Sequence, residues 1–131
     1  MFNPAAIREG KFVHLFYRAV SEGNFSTLGY CKLKGPEEVI ERSTEPVFSP
    51  GNNNESHGTE DPRITRIEGT YYLTYSAYDG VNVAGAYATS KDLKKFERHG
   101  IITPRFTYDA YSLLIRQNLG DISDKHLMFY D

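Results

Sequence analysis

The chain repeats itself. Asn3-Pro4 and Asp61-Pro62, Tyr17 and Tyr75, and Ala19 and Ala77 each stand 58 positions apart. Phe16-Tyr17-Arg18-Ala19 answers Thr74-Tyr75-Ser76-Ala77, Tyr30 answers Tyr87, and Glu41-Arg42 answers Glu97-Arg98. A third copy begins near Pro104 and reaches Leu127-Met128-Phe129-Tyr130. Self-similarity at one period marks units that hide their faces only against neighbouring units. The 131 residues then divide into repeat 1 over about 2–58, repeat 2 over about 59–103 and part of a third over about 104–131.

Each repeat reads as short strands. Lys11 to Ala19 (KFVHLFYRA) and Ser26 to Leu33 (STLGYCKL) flank a turn at Ser21-Glu22-Gly23-Asn24. Thr70 to Ala77 (TYYLTYSA) and Asn82 to Ser90 (NVAGAYATS) flank one at Asp79-Gly80. Both pairs read as hairpins. Ten Tyr and eight Phe favour pleated surfaces, and eleven Gly and six Pro punctuate turns. Only Pro36 to Glu41 and Lys91 to Lys95 read as short helices. The expectation is an all-β chain of four-stranded propeller blades, about two to two and a half of them, forming a single incomplete domain. A small β-sandwich with chance similarity is the other reading. Propeller rings close with ~4–8 blades, so either the chain is a piece of a larger protein or copies associate as a homo-oligomer that covers the open blade edges.

Composition removes several function classes. Forty per cent hydrophobic residues supply a core. No apolar run approaches the ~18 residues of a membrane span, and Met1-Phe2-Asn3-Pro4 shows no secretion signal. A net charge of −2 argues against nucleic acid and membranes as partners. Cys31 is the single cysteine, which excludes an intrachain disulfide and fits a reducing, cytoplasmic setting. His14, His57, His99 and His126 lack metal-ligand spacing. No P-loop or dinucleotide fingerprint is present, so neither metal nor cofactor is expected.

Gly58-Thr59-Glu60-Asp61-Pro62-Arg63 is the most unusual stretch. Two acids precede a proline that fixes the local backbone. In an extended strand their side chains alternate, so one enters a pocket while the other serves as an anchor. By the same alternation Arg63 shares the face of Asp61, close enough to tune it or hold an anion. Asn3 occupies the matching place in the first repeat, and the pair is expected to meet near the propeller axis. Arg18 breaks an apolar run and needs a partner if it turns inward. Tyr78 and Asp79 read either as the hairpin turn or as sugar contacts at a pocket rim. Arg42 and Arg98 recur at equivalent positions, which points to a structural role. Among the histidines, His57 alone lies near the acids.

Taken together, Phe2-Asn3-Pro4, His14-Leu15-Phe16-Tyr17-Arg18-Ala19, Leu28-Gly29-Tyr30, Glu60-Asp61-Pro62-Arg63-Ile64-Thr65, Thr74-Tyr75-Ser76-Ala77-Tyr78-Asp79-Gly80 and Ala88-Thr89-Ser90-Lys91-Asp92-Leu93 resemble glycoside hydrolase family 130. The resemblance runs from Phe2 to about Pro104. It implies a five-bladed propeller and inverting phosphorolysis of β-1,4-linked mannosyl oligosaccharides, with Asp61 as general acid and inorganic phosphate as nucleophile. It also implies that Asn3, Arg18, Arg63, Tyr78 and Asp79 lie in or beside the sugar pocket. Tyr108-Asp109-Ala110 departs from the basic-acidic pair common in the family. Two readings stand side by side: part of an enzyme on β-mannosides, or a non-catalytic, truncated sugar-binding or edge-associating remnant.

Overall fold

The computed structural model describes residues 2–103; the partial third repeat, with Tyr108-Asp109, lies outside them. The strands are β1 (Phe2–Glu9), β2 (Phe12–Val20), β3 (Ser26–Lys34), β4 (Glu38–Arg42), β5 (Gly58–Ile67), β6 (Thr70–Tyr78), β7 (Val83–Ser90) and β8 (Glu97–Ile101). The first four pair antiparallel in sequence order, and so do the last four. One parallel bridge, Ser26 to Gly58, joins the two units.

Local chemistry explains the hairpins. Glu68 and Gly69, between β5 and β6, have φ of 48° and 79°. Two successive left-handed residues match the twist of the flanking strands, and glycine takes the second without strain. Asp79 ties the β6–β7 turn: its Oδ1 accepts the Val81 and Asn82 amides at 2.9 and 2.6 Å.

The two stretches read as helices are not helical. Pro36 and Glu37 form a turn, and β4 begins at Glu38. Residues 91–95 bend around Asp92, whose Oδ1 accepts the amides of Lys94 and Lys95 at 2.9 Å each. Side-chain acceptors this close to the backbone outcompete a helical ladder.

The core lies between the units. Phe16 and Tyr30 of the first pack with Ile64 and Tyr71 of the second, around Leu93. Leu28 and Phe48 pack with Leu73, Tyr75, Ala77, Ala86 and Ala88. Phe96 bridges both clusters. Each unit therefore buries its face against its neighbour, as propeller blades do.

Candidate functional site

β1 and β5 run side by side in the same direction, with Asn3 beside Asp61 at one end and Glu9 beside Arg66 at the other. Each begins with an irregularity. The register of β1 against β2 shifts between Phe2 and Ala5, and that of β5 against β6 shifts between Glu60 and Arg63. Asn3 and Asp61 sit in these bulges with left-handed φ of 43° and 48°. A bulge re-aims a side chain. Here both turn to the same place, and the Asn3 side-chain amide donates to Asp61 Oδ1.

The extra residue of β5 falls between Glu60 and Arg63, and burial still alternates there, with Asp61 and Arg63 half-buried on either side of buried Pro62. Arg63 Nη1 donates to the carbonyl of its own neighbour, Pro62, at 2.8 Å.

Glu60 and Asp61 take separate surroundings. Asp61 is half-buried, whereas Glu60 is buried. Arg18 finds its partner here: Nη2 lies 2.8 Å from Glu60 Oε1. Ser26 completes the group, accepting from Arg18 Nε at 2.8 Å and donating to Glu60 Oε1 at 3.1 Å. A buried carboxylate so paired and bonded pins the arginine's fork in one orientation. Thr59 and Ser76, flanking this network, keep buried hydroxyls without a partner among the described residues.

Tyr78 ends β6, two positions beyond Ser76, and Asp79 follows it in the turn. Tyr78 lies opposite Gly58, its hydroxyl donating to the Gly80 carbonyl at 3.0 Å. His57 packs edge-on against Tyr78 and tilts against Phe25, with centroids 5.9 and 5.5 Å apart. Among the described residues no cluster of His, Cys, Asp and Glu could hold a metal ion. Nor is any helix there long and apolar enough to cross a membrane.

The far end of the interface is ionic too. Glu9 accepts from Arg66 at 3.0 Å and from the Tyr71 hydroxyl, and lies 3.5 Å from His14 Nε2. Burial pulls the His14 pKa below 6.5 and outweighs the upward pull of Glu9. Burial also pushes the Tyr30 phenol up to about 12.

Two groups were not legible beforehand. Ser26 carries no motif, and its role follows from the Ser26–Gly58 bridge. Glu55 lies in a polar loop with no local sign of burial, yet it is 1% exposed, held by Tyr75 and Arg98.

Comparison with known proteins places this architecture. A family model described as beta-1,4-mannooligosaccharide phosphorylase, of glycoside hydrolase family 130, matches residues 1–131. The chain is 36% identical over 121 residues to a 1,2-beta-oligomannan phosphorylase of Thermoanaerobacter sp. (strain X514), covering 84% of this chain and 40% of that protein. It is 32% identical over 147 residues to a beta-1,2-mannobiose phosphorylase of the same organism, covering 99% and 46%. The chain thus spans less than half the length of these relatives. A glycosyl hydrolase structure from Bacteroides ovatus superposes with TM-score 0.69 at 31% identity, over 83% of this chain and 33% of that one. The fold is therefore part of a five-bladed propeller whose sheet does not close within the described residues.

Proposed function

The chain belongs to glycoside hydrolase family 130, and we propose that it supplies the general-acid side of a β-mannoside phosphorylase site. One observation carries this reading: two chain segments 58 residues apart are bulged in the same way so that Asn3 meets Asp61. Asp61 is the proton source. Inorganic phosphate attacks the anomeric carbon from the face opposite the leaving sugar. The C–O bond to phosphate forms as the glycosidic C–O bond breaks, and the proton of Asp61 reaches the departing oxygen through a sugar hydroxyl. The products are mannose 1-phosphate of inverted configuration and the shortened sugar. Phosphate is already an anion, so no second carboxylate is needed as base.

Arg18 contacts the sugar in an orientation held by Glu60 and Ser26, with Asn3, Arg63, Tyr78 and Asp79 around the pocket. The β-1,2 linkage is the favoured substrate, since the curated relatives are named for it; β-1,4 is the competitor. The reaction needs neither metal nor cofactor. Cytoplasmic placement is part of the same proposal, supported by the single cysteine, Cys31.

The test is consumption of β-1,2- and β-1,4-mannobiose with and without inorganic phosphate. Faster loss of the β-1,2 sugar, dependent on phosphate, supports the reading. Sugar binding with no turnover under any condition favours the non-catalytic remnant.

A further inference from the structure

The second unit receives a carboxylate from the first. Phe48, just beyond β4, lies edge-on to Tyr75 with centroids 4.8 Å apart, and Arg98 stands 4.1 Å over the Phe48 ring. Glu55 then enters between Tyr75 and Arg98. It accepts from the Tyr75 hydroxyl at 2.5 Å, from Arg98 Nε at 3.1 Å and from the Gly51 amide at 2.8 Å. This carboxylate latches the connecting loop beneath the second unit.

The first unit repeats the receiving surface. Tyr17, Cys31 and Arg42 hold the sheet positions of Tyr75, Ala88 and Arg98: Cys31 pairs with Arg42 as Ala88 pairs with Arg98, and Tyr17 stands 58 positions before Tyr75. No carboxylate among the described residues pairs with Arg42. Its Nε donates instead to the Tyr17 hydroxyl at 3.3 Å, with the guanidinium 5.5 Å from the ring centroid. Arg42 is exposed although Tyr17 and Cys31 beside it are buried.

We propose that Tyr17 and Arg42 form a docking socket for a carboxylate carried by another blade, on a loop with the chemistry of residues 48–55: an aromatic ring followed by a glutamate. Charge complementarity selects this occupant. A fixed guanidinium on a largely apolar sheet face gains from a carboxylate both an ion pair and a charge-assisted hydrogen bond, and gains neither from an apolar or basic partner. The inference rests on the repeat of the blades and is independent of the phosphorylase reading.

The experiment titrates a synthetic peptide of residues 46–58, which carries Phe48 and Glu55, into the full chain. Arginine side-chain Nε–H resonances report by NMR. The Arg42 resonance is expected to shift saturably while that of Arg98, already engaged by Glu55, stays in place. A Glu55→Gln peptide, or a Tyr17→Phe chain that loses only a hydroxyl, is expected to bind about tenfold more weakly. Undiminished binding of the Glu55→Gln peptide, or no saturable shift of Arg42, overturns the assignment. So does self-association in light scattering that the peptide does not reverse, since a second copy then covers the face by other contacts.

Discussion

Asn3 donates its side-chain amide to Asp61 across two adjacent strands, and both residues hold left-handed backbone, φ 43° and 48°. An L-residue pays for that conformation, asparagine and aspartate less than most. Asn3→Ala loses the amide and keeps the strain. Asn3→Gly loses the amide and relieves the strain. The glycine variant is therefore expected to be the more stable of the two by about 1 kcal/mol, measured by urea unfolding. Equal stabilities would mean that the bulge does not constrain residue 3.

The Arg18–Glu60 pair makes a different prediction. Their side chains are 20% and 8% exposed, so removing one partner strands a charge. Glu60→Ala is expected to cost about 3 kcal/mol or more, and Glu60→Met combined with Arg18→Met to recover most of it. Chemical denaturation of the parent and the two variants reads this directly. A double variant no better than Glu60→Ala alone would show that the pair is not the source of the loss.

Much of this arrangement was legible in the sequence, and the illegible parts share a cause. The 58-residue offset foretold that Asn3 and Asp61 would be equivalent, and both hairpins followed from aromatic alternation and turn residues. The one-residue bulge between Glu60 and Arg63, with Asp61 in left-handed backbone, carries no unambiguous signature. The short helices failed because Asp92 accepts backbone amides and Pro36 leads straight into β4. Glu55 escaped notice because its burial depends on Tyr75 and Arg98, 20 and 43 positions away.

That latch is testable on its own. Glu55→Ala leaves the Tyr75 hydroxyl without its acceptor and the Arg98 guanidinium without its carboxylate, with the Ser49 carbonyl still accepting from Nη2. The expected loss is about 1–3 kcal/mol, read as a lowered melting midpoint. Arg98→Met is expected to cost less in the Glu55→Ala background than in the parent, because the ion pair is already gone while the Phe48 and Ser49 contacts are lost in both. A full additive loss would mean that Glu55 and Arg98 act separately.

His14 sets a pH dependence. Burial holds its folded pKa below 6.5, so the unfolded chain takes the proton first. The stability tied to neutral His14 is complete above pH 6.5 and is lost as pH falls through 6.5 toward the folded value. Stability measured between pH 7.5 and 5.5 is expected to decline on the acid side, with a shallower slope in His14→Gln. The same slope in both proteins would assign the decline to another group.

The proposed chemistry turns on Asp61. The direct measurement is the initial rate of mannose 1-phosphate formation from β-1,2-mannobiose and inorganic phosphate, followed by phosphorus NMR, for the protein with Asp61 and with Asp61→Asn. The expected result is phosphate-dependent product whose rate falls by about 10²–10⁴-fold in Asp61→Asn, with sugar binding retained. An Asp61→Asn protein that forms mannose 1-phosphate as fast as its parent would contradict the account.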